Sequence, residues 1–185
     1  MKLKSAFLAL VLLLLTVTVC AAQSSMGFSP TMFYEVFDQL NSITEGPECI
    51  YARGNEEEGA FILNSETIGI NMMYSGEKVT DLYYFYSYLS TDQEASDAAF
   101  GMLFSTIHTL LAFAQHENRE VFKNFDSNKW VDEVSALYVL LLTNDGPQDY
   151  WGYHFQMEKR EENGHREGIM WVTKSDSAEF KLIEQ

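Results

Sequence analysis

Asn163-Gly164 is where this chain has the least freedom. Two runs of alternating apolar and polar residues flank it, Tyr150–Glu162 and His165–Lys174. Asn-Gly is the pair best able to supply the two left-handed residues of a tight hairpin turn. A two-residue loop there pairs Glu162 with His165, Glu161 with Arg166 and Arg160 with Glu167. Further in, Met157 meets Met170 and Phe155 meets Val172. Charge gathers at the tip and apolar surface at the base. A slip of one residue would turn every side chain to the wrong face, so this register predicts an antiparallel sheet with one side committed to a core.

The period of two also runs from Cys49 to Leu89. Cys49–Arg53 and Ala60–Leu63 are expected as strands around the acidic loop 54–59, followed by Thr67–Tyr74, a turn at Ser75-Gly76, and Val79–Leu89. A three-residue loop at that turn places Ile70 opposite Leu82 and Ile68 opposite Tyr84.

Helical spacing appears in three places. Ser29-Pro30 opens the first, as N-cap and first-turn proline, and Phe33, Val36, Phe37 and Leu40 recur on one face before Gly46-Pro47. Thr91-Asp92-Gln93-Glu94 reads as a capping box for a strongly apolar, central helix with Ala99, Leu103, Ile107, Leu110 and Ala114 in its stripe. A third helix is expected over about 128–142, although 137–142 suits a strand equally well by period. The fold class is therefore α+β: one domain, an antiparallel sheet of about five to six strands with two to three helices packed on it, in the order α-β-β-β-β-α-α-β-β. In element order alone it resembles secretion-chaperone-like and helix-grip α+β folds, a resemblance that implies no function.

Lys2 and Lys4, the apolar run Ala6–Val19 and the small residues Cys20-Ala21-Ala22 have the three parts of a secretory signal. Residues 1–22 are expected to be removed, 23–28 to form a short flexible lead, and 29–185 to fold, with a loosely held tail from about 175. An alternative is a lipid anchor on Cys20, which Val19 disfavours because the processing enzyme wants a small residue there. The chain carries Asp+Glu 27 against Lys+Arg 12, and removing a segment with two lysines and no acid moves the net charge from −15 to −17. Such a charge repels nucleic acid and anionic membranes, so no nucleic-acid partner is expected. No later stretch reads as long and apolar enough for a second anchor, so no membrane span is expected after cleavage. Only Cys49 would remain, and no Asn-x-Ser/Thr sequon occurs, so the expected setting is a bacterial periplasm or the medium.

No assembled catalytic signature emerges. His116 and Glu120 stand four apart, but zincin-type metal binding needs a second histidine at that spacing. Cys49 has no local base, and no Gly-x-Ser-x-Gly elbow exists. Glu56-Glu57-Glu58 reads as a solvated loop tip without calcium-loop spacing. No cofactor or metal is expected.

The aromatic strand 79–89 departs from the usual pattern. Leu82, Tyr84, Tyr86 and Tyr88 share one face, while Tyr83, Phe85 and Leu89 share the other. A sheet covered on one side should be polar on its open side. Either both sides are covered or one presents a platform. The candidate binding residues are Tyr84, Tyr86 and Tyr88, extended by Trp171 and His154. The expected role is a non-enzymatic exported binding or accessory module whose partner is another exported protein or a small ligand such as a glycan. The alternatives are an exported, hydrolase-like enzyme, and an inhibitor or chaperone of another exported protein.

Overall fold

Three helices begin where a side chain is available to accept their first free N–H groups. In the computed structural model, residues 25–144, 146–175 and 180–183 are described; the expected signal 1–22, with Cys20, lies outside them. Helix α1, Pro30–Ile43, is capped by Ser29, whose hydroxyl accepts from Met32 N at 3.2 Å. Helix α2, Gln93–Glu117, is capped by Asp92, not by Thr91 as the box suggests, because the Asp92 carboxylate takes Ala95 N at 3.0 Å. Helix α3, Ser127–Thr143, settles the ambiguity over 137–142 as helix. Its cap is Asp126, which accepts from Asn128 N and Lys129 N, both at 3.0 Å.

Seven strands form one antiparallel sheet: β1 (Ile50–Arg53), β2 (Ala60–Ser65), β3 (Ile68–Ser75), β4 (Lys78–Leu89), β5 (Gln148–Tyr150), β6 (Tyr153–Glu162) and β7 (His165–Lys174). Their spatial order is β1-β2-β3-β4-β7-β6-β5. The α+β class and the element order hold, with one strand more than expected. The additional strand is β5, cut from the run Tyr150–Glu162 by a turn at Trp151-Gly152, both of which have positive φ. Three residues are too short for periodicity to separate from the strand that follows.

The terminal hairpin has the predicted register throughout, from Glu162↔His165 to Phe155↔Val172. Asn163 (φ 52) and Gly164 (φ 75) take the left-handed conformations the turn demands. Of the tip charges, Arg166 bonds Glu161 at 3.1 Å, whereas Arg160 pairs with Glu162 on its own strand.

The β3–β4 register differs from expectation by two residues: Ile70 faces Tyr84 and Ile68 faces Tyr86. The loop is two residues long, Gly76-Glu77, and by itself would turn the wrong face of β4 inward. A bulge at Thr80, between the pairs Tyr74↔Val79 and Met73↔Asp81, inserts one residue and restores the facing.

All three helices lie on one side of the sheet. Helix α2 is central, with Met102, Leu103, Ile107, Leu110 and Leu111 fully buried. It is long and apolar enough to cross a membrane, but most of it is enclosed by the sheet and the flanking helices. Phe28 stacks on Phe113 of α2 at 4.3 Å, and Tyr34 of α1 stacks on Tyr51 at 4.6 Å. The described part of the lead packs against the sheet. Met26 N donates to Val79 O and Val79 N to Phe28 O, both at 2.9 Å, and both lead side chains are buried. In the tail, Trp151 N donates to Lys181 O, and Ile183 N reaches the buried Glu133 carboxylate at 2.6 Å. Phe180 meets Phe122 edge-on at 5.6 Å.

Candidate functional site

Strand β4 divides its side chains between two unlike environments. Leu82, Tyr84, Tyr86 and Tyr88 point under the helices and are all buried. The Tyr84 hydroxyl donates to Ala99 O of α2 at 2.6 Å, and Ser96 Oγ donates to the Tyr88 hydroxyl at 3.4 Å. The Tyr86 ring lies against Gly168, where a Cβ would come within 2.4 Å of Cε1. Burial raises the Tyr84 hydroxyl well above its ordinary pKa. Tyr86 is pushed up to about 12, chiefly by burial and then by the neighbouring Tyr88. The expectation that Tyr84, Tyr86 and Tyr88 form a binding platform is thus corrected. The chain itself covers these rings, and their faces are spent on core packing.

The opposite face carries the other half of the alternation. Across β2, β3, β4, β7 and β6, the register aligns Phe61, Asn71, Tyr83, Trp171 and Gln156. One row toward the hairpin tip stand Leu63, Gly69, Phe85, Ile169 and Glu158. One row the other way stand Met73, Asp81, Thr173, His154 and Asp149, on β3, β4, β7, β6 and β5. Among the described residues, no helix packs on this side. Its apolar side chains are half-buried and stay outside the cluster gathered under the helices. Leu63 and Phe85 close over Gly69, where a Cβ would stand 2.5 Å from Leu63 Cδ2 and 3.0 Å from Phe85 Cζ. The apolar strip is therefore continuous across the missing side chain.

Polar groups interrupt this strip in a particular way. Asn71 is only 8% exposed, and its Oδ1, set close against Gly59, meets no donor among the described residues. The Tyr83 hydroxyl is pushed up to about 12, first by burial and then by the nearby Asp81 carboxylate, so it stays a donor at any physiological pH. His154 Nδ1 lies 3.0 Å from Asp149 Oδ1, which also accepts from Ser175 Oγ at 3.0 Å. Of the five residues singled out from sequence, Trp171 and His154 lie on this open face and the three tyrosines lie beneath it.

The remaining candidates do not assemble into a reactive centre. The Cys49 thiol is half-buried and donates to Pro47 O at 3.3 Å. Burial, with Asp38 second, pushes its pKa up to about 11, so it stays a poor nucleophile. Helix α2 ends at Glu117, which leaves Glu120 beyond it and breaks the helical relation with His116. At the acidic tip, Glu56 accepts from Gly76 N at 2.7 Å, and Asn55 caps the amides of Glu57 and Glu58. Among the described residues, no three His, Cys, Asp or Glu side chains are grouped to share a metal ion. A cleft of about 920 Å³ opens beside the start of α2, and Glu45, Glu48, Asp92, Glu94 and Asp97 line it. Two of these carboxylates are already engaged, Asp92 as the helix cap and Asp97 with the Gln93 amide at 2.6 Å.

Compared with known proteins, the chain matches no family model, no curated protein and no solved structure.

Sequence reasoning passed over Tyr83, Phe85, Asn71 and Ile169 as site residues. A signal for them was present. The hairpin register commits Met170 and Val172 to the core, so Trp171 must face away. Any β4 residue beside Trp171 must face away with it, and only the adjacency of β4 and β7 identifies that residue as Tyr83.

Proposed function

We propose that this chain is an exported, non-enzymatic binding or accessory module, and that it docks another exported protein on the open face of its sheet. One observation carries the reading: Tyr83, Phe85, Ile169 and Trp171 form a contiguous apolar and aromatic surface outside the core, on the side of the sheet away from the helices. Soluble monomers seldom leave such a patch without a use, and aromatic residues ringed by polar ones are the usual composition of an interface centre. Tyr83 and Trp171 offer large rigid area, with one O–H and one N–H to orient a partner. The secretory pattern at the N-terminus supports the exported setting. An inhibitor or chaperone role would use the same surface. A small ligand such as a glycan would use the narrower row of Tyr83, Trp171 and Gln156.

The test is affinity capture from the native envelope or medium, using the mature wild-type protein beside two variants. A Tyr83→Ala/Trp171→Ala double variant should lose a stoichiometric partner. Tyr84→Phe, altered only under the helices, should keep it. Equal recovery by all three would refute this use of the face. The acidic cleft favours a second reading, a hydrolase-like enzyme drawing on its carboxylates. Hydrolytic activity abolished by Glu48→Gln and untouched by the double variant would establish it instead.

A further inference from the structure

Around its aromatic strip the open face is poor in unpaired positive charge, and this says what kind of surface covers it. Most of the described basic residues of the strands project elsewhere. Lys159 turns to the helix side and donates to Leu141 O and Leu142 O of α3 at 3.1 and 2.7 Å. Lys174 reaches Glu117 of α2, and Arg53 shares its row with the core residue Ala60. On the open face the register leaves Arg160, which Glu162 already holds, and the exposed Lys78, which pairs with Ser75 at the far end of β4, beyond the row of Met73 and Asp81 and away from the aromatic strip. Carboxylates are placed differently. Glu158 stands beside Ile169, Glu167 lies between Ser87 and Arg160, and Asp149 lies beside His154. They border the aromatic strip on the β5–β6–β7 side, where a docked surface would meet them.

Resting on the reading of this face as a docking surface, we propose that its occupant is a basic protein segment, one that presents apolar side chains interleaved with lysine or arginine. Apolar residues of the segment cover Phe85, Ile169 and Trp171, and its cations meet Glu158, Glu167 and Asp149. Complementary charge at the edge of an apolar contact speeds encounter and rejects partners of the wrong sign. A second copy of this chain is such a wrong partner, because two open faces would bring these carboxylates together on molecules of formal charge −15 each. The size also suits a segment. The five aligned strands are about 19 Å across and the rows span a similar length, roughly 400 Å² in all, about half of what each partner contributes to a standard globular interface.

Calorimetry with synthetic probes tests this on the mature protein. The probes are a peptide of alternating leucine and lysine and its leucine–glutamate counterpart. The lysine peptide should bind, and its affinity should fall about tenfold between roughly 50 and 300 mM salt as the charges are screened. Tyr83→Ala/Trp171→Ala should abolish binding, and Glu158→Gln/Glu167→Gln should weaken it several-fold. Glu56→Gln/Glu57→Gln/Glu58→Gln, equally acidic but at a distant loop tip, should leave it unchanged. If both peptides bind and both need Tyr83 and Trp171, the face is a docking surface but the basic occupant is wrong. If the loop-tip variant loses as much as the face variants, the binding is unspecific attraction and the inference falls. No heat with either peptide, or a stable homodimer by sedimentation, overturns it as well. Binding that ignores the Tyr83/Trp171 variant removes the docking reading itself.

Discussion

His108 shows how a polar residue can be retained in a core without being reactive. It lies midway along α2, 7% exposed, with Phe104 edge-on at 4.7 Å and the Trp130 ring stacked at 6.4 Å. Its Nδ1 has no partner among the described residues, and burial lowers its pKa to about 4. The folded protein thus holds this ring neutral while the unfolded chain protonates it near 6.5. Between those two values the unfolded state binds the extra proton, so stability is retained above about pH 6.5 and declines as pH falls toward 4. Urea unfolding at a series of pH values should show that decline, and a His108→Leu variant should lose this part of it. An unchanged slope in the variant would refute the assignment. Trp151 is the opposite case, a strained residue held by many contacts. At φ 58 it occupies a conformation that costs a bulky residue about 1–2 kcal/mol. Full burial of the indole and its Nε1 bond to Glu133 at 2.7 Å offset that cost. Neither residue could be assigned a role from its sequence neighbours, because the groups that surround each come from other elements.

At the scale of the element, local chemistry was legible and facing was less so. The Asn163-Gly164 hairpin, the Ser29 cap and the apolar face of α1 all depend on residues within about a turn of one another, and all formed as the sequence implied. Strand β4 did not yield in the same way. Both of its faces are aromatic, so its period of two names two surfaces without saying which is inside. The facing was decided by the bulge at Thr80 and by Gly168 on β7. Gly168 is the only residue that lets the Tyr86 ring lie flat on the neighbouring strand, since a Cβ would sit 2.4–2.6 Å from ring atoms and the hydroxyl. Gly168→Ala should therefore destabilise the fold by roughly 2 kcal/mol through overpacking. Denaturant titration reads that loss, and a Tyr86→Ala background should absorb most of the added steric cost. If Gly168→Ala is neutral in the wild-type background, the close approach is not structural.

For the whole molecule, the segregation of charge and aromatic surface is the property that matters. Helices cover one side, and core tyrosines fill the space beneath them. The other side keeps Tyr83, Phe85 and Trp171 with carboxylates at the border; of its strand cations, Arg160 is held by Glu162 and Lys78 stands at the far end of β4. Export belongs at this scale too. Mass spectrometry of the protein from its native source should find an N-terminus at Gln23. A lipid-modified Cys20, or an intact Met1, would contradict a cleaved soluble form. The acidic excess is a sum over the chain and the secretory pattern a run of neighbouring residues, so neither needs coordinates.

What sequence alone determined was local or additive: the Ser29 cap, the turn at Asn163-Gly164, the hairpin register, the α+β class and the acidic balance. Each depends on nearby residues or on totals, and each is set by short-range sterics and hydrogen bonding. Only the tertiary structure decided that β4 lies beside β7, that β5 is a separate strand, and that Tyr83 rather than Tyr84 shares a surface with Trp171. The pairs of β4 with β7 join residues 76 to 92 positions apart. They are selected by how the entire sheet buries one face under α1, α2 and α3, and a two-residue period is equally consistent with either face until the helices have taken one of them.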